Sequence, residues 1–373
     1  MTYARSRLWL GISAVGVLVL SSVGLLVCGI PSRFENLKLS ESVLLAVWVL
    51  TGIVVLTPFD VIGGFVLPRQ FRRHSQSGLQ FAGSWLRGVL VHGAILYVSL
   101  LAILRAGQAA GPACSTLVVL ALQILLILMQ KQLARLSGRL AVQRFEPADP
   151  QIQSLPPISL ADHRGSDFTG SIVGWPGFEE VIIPAFWQSD LTGNELKAQI
   201  IHRTAAIRSG SRTRGLLLAI CVNTLSFAAC SSLPTAGVTS VGTLVATTLY
   251  LTVLSFVWLL ILPRYSRQGV FEADRYAFDH GLTFTQIKTA AERIDVLYDN
   301  EKRRSRSLES VFHPIPCVKR RVSELSLRLH TLRGCWHAAR TTLFLSWSCG
   351  NLLSRAVHCN IGQPELWVLL PAD

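Results

Sequence analysis

Six apolar runs near the length of a membrane crossing constrain this chain more than any other feature. They are Leu8–Ile30, Val43–Leu67, Leu86–Leu104, Ala113–Met129, Leu216–Leu233 and Val241–Leu262. A helix needs about 20 residues to cross the hydrocarbon, so the fourth and fifth runs are the shortest. Composition agrees: of 373 residues half are hydrophobic and only 15% are charged, against roughly a quarter in a soluble domain. The first run is too long for the apolar core of a signal peptide and has no small-x-small cleavage site. It reads as an uncleaved anchor. The fold class expected is an α-helical integral membrane protein of about six spans.

Basic residues orient the bundle. Arg5 and Arg7 precede the first run, Arg69, Arg72, Arg73 and Arg87 fill the second loop, and Lys131, Arg135 and Arg139 follow the fourth run. The opposite loops hold only Arg33, Lys38 and Arg105, and the last hairpin, around "SSLPTAGVTS", holds no charge. The positive-inside rule then puts both termini and both polar segments on the cytoplasmic side of the cell (inner) membrane. The net charge of +13 follows from that topology and from attraction to anionic lipid headgroups. No nucleic-acid motif competes for it. The eight cysteines are scattered and read as buried thiols. Cys335 and His337 could meet His358 and Cys359, but the spacing fits no standard zinc pattern.

The chain divides into a four-helix region over 1–132, a polar segment over 133–213, an apolar hairpin over 214–263 and a second polar segment over 264–373. In the first polar segment, "KQLARLSGRLAVQRF" reads as an amphipathic helix and "EPADPQIQSLPP" as a break. Two β-like runs follow, "FTGSIVGW" and "EVIIPAFW", separated by turn residues. Thr192 is then an N-cap with Glu195 completing a capping box, which opens a helix over 193–208. Beyond the hairpin, two helices divide at Gly281, and "FHPIPC" is a loop before another helix. The tail after Trp336 is apolar enough for a further span. Arg340, Arg355 and His358 oppose that, so it reads as a buried or membrane-hugging helix.

The order is strand pair, helix with "HRTAA", membrane hairpin, helix with "VFEAD", then an "HP" loop at His313 and Pro314. It resembles the HtpX and CAAX-prenyl-protease type of integral-membrane zinc metallopeptidases (gluzincins), over roughly residues 155–330. The resemblance implies a cytoplasmic α+β peptidase-like domain split by a transmembrane hairpin, with HExxH on one helix and ExxxD on the next. Histidines at i and i+4 hold zinc from one helical face, and the glutamate between them is the general base. A glutamate from the second helix completes the ligands and an aspartate four residues on orients them.

Here His202 matches the first histidine, but the base position is Arg203 and the second histidine position is Ala206. The third-ligand position is Val270, and the aspartate survives as Asp274. Glu272 is two residues from Val270 and points to nearly the opposite face. The basic residue expected after the "HP" motif comes at Arg320 or Arg321. The other nearby histidines, His163, His280 and His313, lie outside both helices. A permanently charged guanidinium at the base position opposes a bound dication. The expectation is therefore a pseudopeptidase without zinc, binding or regulating membrane-protein segments or a related active peptidase, with peptide held along the "FTGSIVGW" edge strand. The alternatives are an active zinc endopeptidase with a non-standard ligand set, and a membrane scaffold or transporter.

Two ion pairs are expected. Arg203 should pair with Asp274, or with Glu272 if the helix is rotated, because an unpaired buried charge is strongly unfavourable. Asp60 and His92 lie inside neighbouring antiparallel spans, roughly 12 Å and 9 Å from the cytoplasmic ends at 1.5 Å per residue. They should face each other. The competing reading ends the second helix at Pro58 and lays "FDVIGGF" along the interface, leaving Asp60 wet.

Overall fold

The computed structural model describes residues 2–73, 76–138, 140–146, 156–162, 168–298, 300–301, 303–327, 333–357 and 359–369. Five of its helices are long and apolar enough to cross a membrane: Tyr3–Val27, Glu41–Gln70, Gly78–Leu128, Ser211–Ser231 and Val241–Asp279. The third holds two of the apolar runs. Gly111, at φ +77 and followed by Pro112, breaks the helix between them, since an L-residue with a side chain is strained at that φ and proline removes a donor. The two limbs run back along each other. Ser115 Oγ donates to Ile103 O at 2.8 Å, and Arg87 Nε donates to Leu136 O at 2.6 Å.

The second helix does not stop at Pro58. It continues through a π-turn at Ile62–Val66 to Gln70, so the interfacial reading of "FDVIGGF" is overturned and Asp60 is buried. The last long helix has 39 residues, about 58 Å at 1.5 Å per residue. That is nearly twice the hydrocarbon thickness of about 30 Å. Its first part, 241–262, suffices for a crossing, and the rest, with Val270 and Asp274, projects beyond.

The first polar segment makes a four-stranded sheet in the order β1-β2-β4-β3, with β1 Ala141–Phe145, β2 Ile158–Asp162, β3 Ser171–Val173 and β4 Glu180–Pro184. β3 and β4 are the antiparallel pair expected from sequence, in the register Ile172↔Val181. β2 joins β4 in parallel and β1 joins β2 antiparallel. The expected helix through "AVQRF" is a strand instead. The helix preceding it ends at Gly138, and β1, mostly exposed, is held by its ladder to β2 with Val142 and Phe145 packed against the apolar clusters.

One apolar cluster takes residues from both polar segments: Ile158, Val181, Ile200 and Ala206 from the first, Val270, Ala277, Ile294 and Leu325 from the second. The halves separated by the hairpin thus share a core. A larger cluster fills the long-helix bundle and takes in Phe344, Trp347, Trp367 and Val368 of the tail.

The tail is not one helix lying on the membrane. It is broken into Ala338–Leu345, a 3-10 turn at Ser346–Cys349, Leu353–Ala356 and a second 3-10 turn at Pro364–Trp367. Almost every described residue from 334 to 369 is buried or nearly so. It threads the bundle where helices leave room. A Cβ on Gly64 would lie 2.1 Å from Gly362 O, and one on Gly362 would lie 2.3 Å from Gly64 N. Neither position admits a side chain.

Candidate functional site

The helix Gly193–Arg208 starts at the capping box expected: Glu195 accepts from Thr192 N at 2.8 Å and Thr192 Oγ1 accepts from Glu195 N at 3.4 Å. That start fixes the helix phase, and residues 202, 205 and 206, three and four apart, share one face. This face packs on the projecting part of Val241–Asp279, along Val270, Ala273, Asp274 and Ala277. All of these residues are at most 5% exposed. Alanines on both helices allow the close approach.

The positions that the resemblance assigns to zinc chemistry are thus brought together, with different contents. Ala206 and Val270 are fully buried in the shared apolar core. His202 Nε2 lies 3.2 Å from Asp274 Oδ1 and 3.3 Å from Arg321 Nη2. Arg321 clamps Asp274 through both oxygens, Nε to Oδ2 at 2.9 Å and Nη2 to Oδ1 at 2.7 Å. Of the two basic candidates after the "HP" loop, Arg321 therefore reaches the site. Arg320 turns away, pairing with Glu309 at 3.1 Å and lying over the Phe271 ring. Burial alone would raise the Asp274 carboxyl. The guanidinium of Arg321 and the imidazole of His202 outweigh it and hold the carboxyl well below the usual carboxylate range.

The expected Arg203–Asp274 pair does not form, and neither does a pair with Glu272. Arg203 is fully buried but points to the other side of its helix. Its Nη1 donates to Gln199 O at 3.0 Å and Gln199 Oε1 at 2.8 Å, and its Nη2 donates to Thr169 O at 2.5 Å. The guanidinium lies 4.8 Å from the Trp187 ring centroid. Arg321, arriving from a third helix, already occupies Asp274, so two guanidinium groups do not share it. Glu272 lies on the far face, as its spacing requires, bound to Arg214 at 2.6 Å and accepting from Gly334 N at 2.7 Å. Arg203 fastens its helix to the approach of β3, where Tyr298 Oη also donates to Phe168 O at 2.7 Å and accepts from Trp187 Nε1 at 3.0 Å.

These residues do not fit a zinc ion. Two of the three ligand positions are hydrocarbon, and the nitrogen of His202 that faces the second helix is engaged by an ion pair. Among the described residues no group of three His, Cys, Asp or Glu side chains converges as a metal requires. His280 stacks on Tyr276 at 3.8 Å, and the His337 ring lies tilted against that of Trp336 at 3.7 Å. His163 and His358 lie outside the described residues.

β3 is the sheet edge, as a peptide-holding strand must be, but residues 168–173 are all buried. Ser171 and Ile172 face a cavity of only about 30 Å³, closed by Trp336, His337, Thr341 and Phe344 of the tail. The tail is tied down beside it, Trp336 N donating to Ser211 O and Cys335 N to Tyr265 O, each at 3.0 Å. Residues 168–173 are thus not exposed as a peptide-holding edge would be.

The Asp60–His92 pair is also absent. Asp60 is paired with Arg355, both essentially unexposed, and accepts from Trp85 Nε1 and Gly362 N at 3.0 Å each. His92 packs 4.2 Å from the Trp347 ring and 5.6 Å from the Trp367 ring. Among the described residues neither of its ring nitrogens has a partner. The sequence held the signal: Asp60 and Arg355 are opposite charges in apolar surroundings, and such charges seek each other. Because an unpaired buried polar group is unfavourable while its apolar isostere is not, His92→Phe is expected to keep or raise the thermal midpoint of the purified protein. A fall of several degrees would show that the imidazole makes a bond the fold needs.

No protein-family model matches this chain, and no curated protein does. Among solved structures it is similar to the crystal structure of S. mikatae Ste24p, a CAAX prenyl protease, with a TM-score of 0.67 and 15% sequence identity. The likeness covers 79% of this chain and 80% of that one. At that identity the likeness is one of fold. The chain is a multi-pass, helical membrane protein that shares the fold of that structure.

Proposed function

We propose that this protein is a membrane-embedded pseudopeptidase of the HtpX and CAAX-prenyl-protease type, which binds or regulates membrane proteins and hydrolyses nothing. One observation carries the reading. Ala206 and Val270 stand fully buried where two zinc ligands would be needed, while Arg321 and Asp274 hold His202. Hydrolysis by this fold's zinc chemistry needs three ligands, an open position and a base, and here the base position carries Arg203. In this reading the chain spans the cell (inner) membrane six times, with both termini and the α+β domain cytoplasmic.

The covered edge strand favours a subunit role over peptide capture. Because Trp336–Phe344 lies over β3, partners meet other faces of the molecule, as they would if it stood beside an active relative or a membrane-protein client. Crosslinking in native membranes followed by pull-down of the full chain tests this. Recovery of a defined membrane protein, from which the full chain releases no fragments with or without added zinc, is expected. Zinc-dependent cleavage of that partner, abolished by His202→Ala, would overturn the reading.

A further inference from the structure

Beyond the last apolar run the charge becomes one-sided. Residues 299–321 carry seven lysines and arginines against three carboxylates. Two of those carboxylates are engaged. Glu301 accepts from Arg5 Nε at 3.0 Å and from Thr2 Oγ1 at 3.1 Å, and lies 3.7 Å from Arg304. Glu309 is 2% exposed and pairs with Arg320 at 3.1 Å. Asp299 and Lys302 lie outside the described residues. Arg303, Arg306 and Lys319 are exposed, and so is Arg264 at the end of the last run. None of these four is in a hydrogen bond or ion pair among the described residues. Glu324 shares a helix with Lys319 but, five positions on, is turned about 140° from it. The positive-inside rule counts charges within about 15–20 residues of a span. It accounts for Arg264, whereas Arg303 lies about 40 positions beyond Leu262.

This basic segment is fastened at the level where the apolar runs end. Arg5, which holds Glu301, stands three positions before Leu8, the start of the first run, and Arg264 directly follows Pro263. One turn further along the same helix, Arg267 Nη1 donates to the carbonyls of Glu309 and His313 at 2.8 Å and of Ser310 at 3.2 Å. These bonds tie the short helix Arg306–Phe312 to the end of the last span. Phe312, 37% exposed, closes that short helix and lines an apolar groove with Leu8, Leu259 and Pro263. The short helix thus has an aromatic ring at the hydrocarbon edge and an exposed arginine at its other end. Aromatic rings at the boundary with cations beside them are what a membrane-surface element needs.

We propose that residues 303–312, with Arg264 and Lys319 beside them, form a docking face for the headgroups of anionic phospholipids. Phe312 marks the hydrocarbon edge, and the exposed cations attract the headgroup phosphates as a surface rather than as a closed site. Each cation near an anionic surface strengthens such attachment about fivefold. The face includes neither His202 nor Asp274, so it stands whether or not the chain has lost zinc chemistry.

Amide hydrogen exchange of the full chain tests this in lipid discs of phosphatidylcholine alone or with phosphatidylglycerol added. Discs carry the anionic lipid in both leaflets, so the result does not depend on which side the α+β domain faces. At low salt, exchange over 303–312 is expected to slow about tenfold in the phosphatidylglycerol discs, with the helix Gly193–Arg208 unchanged. The slowing should vanish at about 0.5 M salt, where screening confines attraction to about 4 Å. Arg264→Gln combined with Lys319→Gln, both exposed and outside the segment read, should remove most of it. Inorganic phosphate added to phosphatidylcholine discs should slow nothing. Slowing that survives high salt or the double variant, or that inorganic phosphate reproduces, overturns the proposal. Equal exchange in the two discs also overturns it, and would assign these cations to an acidic protein instead.

Discussion

Arg355→Ala is expected to destabilise the purified protein by about 3–5 kcal/mol, the range for breaking a buried ion pair from one side. Arg355 is fully buried and pairs with Asp60, which is 1% exposed, and its guanidinium lies 4.5 Å from the Trp367 ring. This contact fastens the threaded tail to the second long helix, and Gly362 N donates to the same carboxylate. Without Arg355, the Asp60 carboxyl is left among helices with no water to replace the lost partner. Asp60→Asn should cost a similar amount, leaving the guanidinium stranded. Replacing both, as Asp60→Leu with Arg355→Met, should recover more than half of the loss, because a pair exchanged for well-packed hydrocarbon is often neutral. Thermal unfolding of the four proteins in one detergent measures this. A double variant no better than Arg355→Ala would place the stabilisation elsewhere.

Asp274→Asn is expected to have the second large effect, also about 3–5 kcal/mol, because it strands Arg321 beside His202 in a buried joint. The same pair sets a pH dependence. The Asp274 carboxyl is held well below the usual carboxylate range in the fold, while the unfolded chain has it near pH 4. Its contribution is therefore fully present above the unfolded value. It is lost as the pH falls from there through the depressed folded value, where the unfolded state takes up the proton first. Wild-type stability should fall more steeply below about pH 4 than that of Asp274→Asn. Parallel curves would show that Asp274 does not carry the pair's strength.

Much of the α+β core was legible in the sequence because it follows local rules. The Thr192–Glu195 capping box fixed where the helix starts, and two β-like runs separated by turn residues marked β3 and β4. Gly281, at φ +105, divided the next two helices as expected. The relation of Ala206 to Val270 followed once the two helices were paired. β1 was missed because three of its five residues are exposed and only Val142 and Phe145 pack against the apolar clusters, so its pattern shows little of the ladder it makes to β2.

The ion pairs were misassigned for one reason. Burial shows that a charge needs a partner, but the partner's identity depends on segments far along the chain. Asp274 meets Arg321 from 47 residues away, and Asp60 meets Arg355 from 295 residues away. The tail has neither a 3.6-residue nor a 2-residue period to follow. Gly350 and Gly362, both at positive φ, together with Pro364 break it into short turns. Its place inside the bundle depends on matching gaps such as that at Gly64, which periodicity does not show.

The central claim is that this fold keeps the frame of a zinc site without its ligands, and elemental analysis of the full chain tests it most directly. The protein is purified without chelator, equilibrated with a slight excess of zinc and freed of unbound metal, alongside His202→Ala. Zinc far below one atom per chain, and unchanged by His202→Ala, is the predicted result. One zinc per wild-type chain, lost on His202→Ala, would contradict it.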